Sequence, residues 1–220
     1  MEGPFRTLVT IALYFSVSNF VFYGNATDAP NYTVTHTEPD YEIRLYREIS
    51  WISALARDSS FQKSTKDGFH RIYQYIHGSN LNSSQLAVTA PVLTSITQSS
   101  SSSGTLYYVM MFLSKANPPQ PNPELSLQLN KWKAKCVAVR TFSGFADDEN
   151  SKNEMEALAA SIKKHSAGNT VAIDNNSTYI IAQYNSSRKL LGRLNEVWID
   201  VSGYSIDGCL PIKGNIDLAA

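Results

Sequence analysis

The order of predicted elements repeats on either side of a proline-rich segment near the middle of the chain. Residues 117–123 read NPPQPNP, and proline fixes its own backbone angle while disfavouring helix in the residue before it. The segment is therefore an extended connector. Strand, helix, strand, strand is predicted in each half, which indicates an internal duplication. We expect an α+β fold, either a distorted antiparallel β-barrel or two packed antiparallel sheets, with one helix of each half packed outside.

In the first half, apolar and charged side chains alternate over residues 41–49. This alternation predicts a strand with one solvent-exposed face. A second strand is predicted at 51–56. Cap-forming residues at 58–60 and the stop signal at 78–80 bound a helix of about four turns. Its apolar positions recur at helical spacing, and they are Phe69, Ile72, Tyr73 and Ile76.

Two further strands are predicted at 86–96 and 106–113, separated by the serine run 99–103, which is typical of an exposed loop. Pro91 lacks a backbone N–H. The first of these strands is therefore expected at a sheet edge or with a bulge.

The second half repeats the pattern with strands at 136–142, 179–184 and 196–201. A helix at 151–165 is expected to start with a capping box formed by Ser151 and Glu154. The residues expected on its buried face are Met155, Leu158, Ala159 and Ile162.

The N-terminus predicts entry into the secretory pathway. Residues 1–26 combine a basic start, a mostly apolar centre and small residues before a cleavage point, as a signal peptide does. A membrane anchor is the alternative, but polar residues interrupt the apolar stretch. We expect a flexible lead at 27–37, one domain at 38–203 and a tail at 204–220. The expected location is extracellular, with a vacuole or the endomembrane lumen as the alternative.

Glycosylation acceptors and cysteines fit this compartment. Two cysteines, Cys136 and Cys209, are an even count in an oxidising environment, so we expect one disulfide between them, provided that the fold brings them close. Six asparagines stand in Asn-x-Ser/Thr motifs, namely Asn25, Asn31, Asn82, Asn175, Asn176 and Asn185.

Charge and missing motifs exclude several functions. Lys plus Arg and Asp plus Glu number 19 each, so no global field favours nucleic acid or an anionic membrane as the main partner. The chain has no glycine-rich phosphate loop, no Gly-x-Ser-x-Gly and no His-Glu-x-x-His. No nucleophile with a nearby base is evident, so an enzyme is the least favoured interpretation.

Two clusters of candidate functional residues have simpler interpretations. His70 and His77 share a helical stripe, but a metal site would need a third ligand, so solvated histidines are favoured. The acidic run 147–149 suggests a carboxylate pair, yet negative charge before a helix also complements its dipole. We therefore expect no metal and no catalytic residues.

Five motifs in order resemble the SOUL haem-binding family. They are EPDYEIRLY at 38–46, GFHRIYQYIHGSN at 68–80, AVTAPV at 87–92, VAVRTFSGFA at 137–146 and GRLNEVWI at 192–199. The resemblance covers nearly all of the expected domain. It implies a distorted barrel of two β-rich halves and the binding of haem or a related tetrapyrrole.

The family's proposed haem surface lies between the first helix and the loop before the last strand. An apolar helix face would take the macrocycle, and the basic loop would take the propionates. Some relatives carry a histidine where this chain has Leu45, so we expect no strong axial ligand. The resemblance assigns the site to Lys66, Phe69, Ile72, Tyr73, Ile76, Tyr184, Lys189 and Arg193.

The favoured hypothesis is a monomeric, non-enzymatic carrier, scavenger or buffer of tetrapyrroles. The alternative is a SOUL-fold interaction domain that binds a protein or another amphiphile with little haem affinity. Leu45 favours that alternative.

Overall fold

The computed structural model describes residues 28–57, 60–98, 104–165, 178–202 and 209. The expected signal peptide, the serine run 99–103 and the tail apart from Cys209 lie outside these residues. The asparagines Asn25, Asn175 and Asn176 lie outside them as well.

Within the described residues, nine strands and two helices form the fold. The helices are α1 (Phe61–Ile76) and α2 (Asp148–His165), and a short 3₁₀ turn spans Pro123–Leu125. The strands are β1 (Tyr32–Thr37), β2 (Glu42–Tyr46), β3 (Ile49–Ala56), β4 (Val92–Gln98), β5 (Thr105–Phe112), β6 (Leu127–Trp132), β7 (Lys135–Phe142), β8 (Tyr179–Gln183) and β9 (Asn195–Asp200).

All nine strands belong to one antiparallel sheet, ordered β1-β2-β7-β9-β8-β4-β5-β3-β6 and strongly curled into a half-barrel. This confirms the α+β distorted barrel. The expectation of two separate sheets is wrong, because β4 pairs with β8 over five residue pairs and joins the halves.

The strand order shows how the two halves interlock. Let β2, β3, β4 and β5 of the first half correspond to β6, β7, β8 and β9 of the second half. The strand order from β2 to β6 is then the same when it is read from either end. The first strand of each half pairs with the second strand of the other half, since β2 pairs with β7 and β6 with β3. The duplication predicted from the sequence is therefore present, with its first strands exchanged.

Side-chain alternation gives the sheet two different faces. On one face, helix α1 covers β3 and β5, where Ile52, Ala54 and Val109 are 0% exposed. Helix α2 covers β7 and β9 through its buried stripe Met155, Leu158 and Ile162, as predicted. Neither of the two described helices covers the opposite face, where the curl of the sheet buries an aromatic cluster that includes Tyr46, Trp51 and Trp198.

Helix α1 approaches the sheet closely at a glycine. Ser60 caps the helix by accepting a hydrogen bond from the Lys63 N–H. One β-carbon placed on Gly68 would lie 2.5 Å from Cγ2 and 2.6 Å from Cβ of Val109 on β5. No side chain fits at this position, so Gly68 sets the distance between α1 and the sheet.

Four local predictions differ from the structure. The lead 27–37 contains strand β1, because β-branched residues there can extend a sheet edge. Strand β6 was missed, since its exposed side chains hide the apolar pattern. Strand β4 starts at Val92, after Pro91, and is central, so the proline needs neither an edge nor a bulge.

The fourth difference concerns the start of α2. The helix begins at Asp148 rather than at Ser151, which is buried inside it. Reciprocal bonds between Asp147 and Asn150 form the capping box: Asn150 N–H donates to Asp147 Oδ1 (2.8 Å), and Asp147 N–H donates to Asn150 Oδ1 (2.9 Å).

The predicted disulfide is confirmed. Cys136 on β7 is bonded to Cys209, which lies 73 positions further along the chain, and their Cα atoms are 6.0 Å apart. It anchors the tail to the core beneath α2. In the part of the chain that the structure describes, neither helix has the length and apolar character needed to cross a membrane.

Candidate functional site

The exposed face of α1 forms an open depression of about 540 Å³. Three predicted site residues line it, namely Lys66, Phe69 and Tyr73. They come together because residues three, four and seven apart share one side of a helix. Lys63, Asp67 and His70 complete the lining.

The aromatic side of the depression continues along the helix. Phe69 and Tyr73 are in ring contact at 6.2 Å, and Tyr73 stacks on His77 at 3.9 Å. Tyr73 is 46% exposed. A planar apolar ligand could stack on this surface while the nearby lysines face its acidic groups.

Ile72 and Ile76 do not face the depression. They are 0% and 1% exposed and pack with β3 and β5 beneath the helix. Helix α1 has two apolar stripes, one facing the sheet and one facing solvent. The spacing of apolar residues in the sequence does not distinguish these two stripes. In this conformation the two isoleucines support the helix that carries the depression.

Arg193 is also committed to the fold. Its side chain is buried, and Nη1 donates to the carbonyl oxygens of Ser186 (2.7 Å) and Lys189 (2.8 Å). Nη2 donates to the carbonyl oxygen of Asn185 (3.0 Å), and the guanidinium lies 4.3 Å from the ring centre of Phe145. With its fork engaged by three carbonyls, Arg193 holds the loop 185–194 rather than a ligand.

The loop that Arg193 holds presents cations and leucines to solvent. Arg188 and Lys189 are exposed, while Leu190 and Leu191 are 71% and 87% exposed. Lys189 therefore remains free to meet an anion. It does not line the depression on α1, and neither do Tyr184 and Arg193.

Tyr184 belongs to a buried polar network at the end of β8. Its hydroxyl donates to Glu196 Oε2 (2.8 Å), which also accepts from Trp198 Nε1 (2.8 Å). The same carboxylate pairs with Arg44 across the sheet, Nη2 to Oε1 at 2.9 Å. Burial, followed by the nearby Glu196 carboxylate, raises the pKa of Tyr184 above its ordinary value. Local sequence patterns do not predict this network, because Arg44 lies 152 positions from Glu196 and meets it only through the pairing of distant strands.

Leu45 lies on a different part of the fold from the depression. It packs against the core cluster that α2 covers, whereas α1 forms the depression. The leucine therefore says little about iron ligation on α1. Among the described residues, no group of three or more His, Cys, Asp or Glu could hold a metal ion.

Sequence reasoning missed Lys63, Asp67 and His70 as lining residues. The signal is present in the sequence, because each of these residues stands three or four positions from another residue of the lining. A helical projection centred on Tyr73 instead of on the buried isoleucines would have found them.

Comparison with known proteins settles the family. The sequence matches the family described as SOUL heme-binding protein over residues 27–200. The chain belongs to the SOUL family. Two curated SOUL-like relatives are heme-binding protein 2 of Mus musculus and of Homo sapiens, each 28% identical over 162 residues, covering 72% of this chain and 77% of the relative.

A solved structure shows a similar fold. The C-terminal domain of EcmrR aligns with a TM-score of 0.55 at 11% identity, covering 77% of this SOUL chain and 96% of that domain. At this identity the likeness concerns the fold alone.

Proposed function

We propose that the protein binds haem or a related tetrapyrrole without catalysing a reaction on it, as a carrier, scavenger or buffer. The observation that carries this proposal is the depression on α1 in a chain of the SOUL family. The relatives named above are heme-binding proteins by name. The residues present suit the group: Phe69 and Tyr73 offer ring surfaces, and Lys63 and Lys66 offer cations for propionates.

Apolar contact supplies most of the affinity in this proposal. Removing apolar surface from water contributes about 25 cal/mol per Å², whereas an exposed lysine pairing with a propionate contributes at most about 1 kcal/mol. The proposed binding residues are Lys63, Lys66, Phe69 and Tyr73 of the depression. Lys189, which is exposed but does not line the depression, is proposed as an additional cation. The other four residues assigned by the resemblance are proposed to act indirectly, by supporting the helix and the loop that carry the binding residues. They are Ile72, Ile76, Tyr184 and Arg193.

The iron has no strong axial ligand in this proposal. His70 is the imidazole that lines the depression. An exposed histidine held by no other residue of the lining makes a weak ligand. Metal-free protoporphyrin should therefore bind nearly as well as haem.

Absorbance titrations with haem and with protoporphyrin test the proposal. Tyr73→Asp should weaken both ligands about tenfold or more, because it places a charge on the stacking surface. Tyr32→Asp is the matched control, since Tyr32 on β1 is 45% exposed and Tyr73 is 46% exposed. Lys66→Ala should weaken binding by less than about tenfold, and less in high salt.

Two outcomes would count against this site. If the Tyr73 and Tyr32 variants lose tetrapyrrole affinity equally, the ligand does not bind at the depression on α1. Haem binding that exceeds protoporphyrin binding by a hundredfold, and that His70→Ala removes, would show axial ligation.

The proposed setting is the secretory pathway or extracellular space, as a glycosylated monomer with no membrane or nucleic-acid partner. Of the acceptor asparagines in the described residues, Asn31 and Asn82 are exposed. Mass spectrometry of the natural protein tests this proposal. A retained N-terminus or unmodified asparagines would contradict it.

A second function is favoured by one observation. Leu190 and Leu191 are highly exposed beside Lys189 on a braced loop. Such a surface also fits a protein or another amphiphile. If neither tetrapyrrole binds saturably, this interaction-domain function replaces the first.

A further inference from the structure

A second cavity lies on the helix-free face of the sheet, inside the half-barrel. Its volume is about 290 Å³, and its lining residues come from seven strands, β3 to β9. Met110, Ile180 and Trp198 form its buried floor, while Tyr108 and Trp132 are partly exposed. Helix α1 contributes no residue to it, so this cavity is separate from the depression described above.

The walls of the cavity suit an aromatic ring. Tyr108, Trp132 and Trp198 supply three ring systems from three strands. Trp132 packs against Trp51, with ring centres 4.8 Å apart and ring planes tilted by 41°. Aromatic walls held by packing stack a planar ligand with little loss of side-chain freedom.

The polar groups of the cavity suit a hydroxyl group on the ligand. Ser53, Ser95 and Asn130 line it, and hydroxyl and amide groups both donate and accept hydrogen bonds. Asn130 Nδ2 donates to Ser53 Oγ, which in turn donates to the Gln128 carbonyl oxygen at 3.4 Å. This pairing joins β6 to β3 at the wall and fixes the direction of these polar groups.

The charges at the cavity neutralise one another. Lys135 Nζ lies 3.3 Å from Asp200 Oδ2 and 3.7 Å from the ring centre of Trp132. Because the lysine and the carboxylate are paired with each other, neither is left to compensate the charge of a ligand in the apolar part of the cavity. The cavity therefore favours a neutral compound.

Size limits the ligand further. A volume of 290 Å³ lies just below the range of about 300–1,000 Å³ that small-molecule sites occupy. A tetrapyrrole macrocycle does not fit in this space, whereas one or two fused aromatic rings do. We propose that the cavity inside the half-barrel is a second binding site, for a small neutral aromatic compound that carries a hydroxyl group.

Calorimetric titration of the whole protein with 1-naphthol tests this site independently of haem. We expect saturable binding with one site per chain. The charged analogues 1-naphthalenesulfonate and 1-naphthylmethylammonium should bind at least about tenfold more weakly. Equal binding of all three compounds would overturn the proposed preference, and no saturable 1-naphthol binding would overturn the site.

Substitutions of two tyrosines of similar exposure distinguish binding at this site from binding on α1. Tyr108 is 36% exposed and Tyr73 is 46% exposed. Tyr108→Ala should weaken 1-naphthol about tenfold and leave haem unchanged, because it removes one aromatic wall. Tyr73→Ala should do the reverse. If 1-naphthol responds to Tyr73 and not to Tyr108, it binds on α1 and the second site is wrong.

A rim substitution covers the case in which Tyr108→Ala impairs folding. Thr178 lines the cavity and is exposed, so Thr178→Trp should obstruct entry without disturbing the core. We expect at least about a tenfold loss of 1-naphthol affinity with an unchanged melting temperature. Unchanged 1-naphthol affinity in this variant would overturn the site, as would displacement of 1-naphthol by saturating haem.

Discussion

Gly68→Ala sets two opposing effects against each other in one substitution. In an isolated helix, alanine is favoured over glycine by about 1 kcal/mol. In this fold, the new β-carbon would lie 2.5 Å and 2.6 Å from two atoms of Val109. One of these is the β-carbon, which no rotamer change can move. The helix or the strand must therefore shift.

The packing cost decides the sign. Inserting a methyl group into a packed core costs about 1–3 kcal/mol, and the upper part of that range applies because Val109 is 0% exposed on a central strand. After the helix preference is subtracted, we expect a net loss of about 1–2 kcal/mol in unfolding free energy. For a chain of this size the melting temperature should fall by roughly 3–6 °C.

Thermal unfolding followed by circular dichroism measures this difference. The control is Gln62→Ala on the exposed side of α1, which should change the melting temperature little. In the Val109→Ala background, Gly68→Ala should cost less, because the nearer methyl group is gone. A Gly68→Ala variant that is more stable than the wild type would refute the close approach of α1 to β5.

Three further predictions follow from single contacts. Replacing Cys136 and Cys209 by serine opens a 73-position link and should lower unfolding free energy by about 4 kcal/mol, measured by urea unfolding; a loss below 1 kcal/mol would contradict the chain-entropy account. Arg193→Lys should speed amide hydrogen exchange in residues 185–194, because one ammonium group cannot reproduce the planar fork that serves three carbonyls; unchanged exchange would show that other contacts hold the loop. Burial raises the pKa of Tyr75 to about 12 in the folded state, so the folded chain holds a proton that the unfolded chain loses near pH 10; stability should fall as pH rises from about 10 to 12, and Tyr75→Phe should flatten that fall in urea midpoints measured across this range.

Local patterns in the sequence were enough for most of the fold. Both helices and seven of the strands follow from periodicity, and the repeated order around 117–123 predicted the duplication. Strand β6 was not predictable in this way, because an edge strand with one exposed face lacks a strong apolar alternation. Strand exchange was also beyond a local pattern, since it depends on contacts between residues far apart in the chain.

The candidate site was predictable only in part. Helical spacing placed Phe69 and Tyr73 on one helix and the family resemblance added Lys66, but neither could say which apolar stripe faced the sheet. Arg193 shows a second limit. A buried arginine bound to carbonyl oxygens and an exposed arginine waiting for an anion have the same sequence signature, and only burial separates them.

The exchange of first strands has a consequence for the origin and the assembly of this fold. In a single half, β2–β5, two strands lack a partner. One edge of β3 is unpaired, because β6 of the other half occupies it in the whole chain, and β2 pairs with no strand of its own half. Two copies of one half would satisfy both needs by donating β2 to each other, as a domain-swapped homodimer does. The present chain has the strand arrangement that such a dimer would have if its two copies were joined end to end near residues 117–123. We therefore expect that neither half folds alone, and that a cut at the junction leaves two fragments that hold together through their exchanged strands.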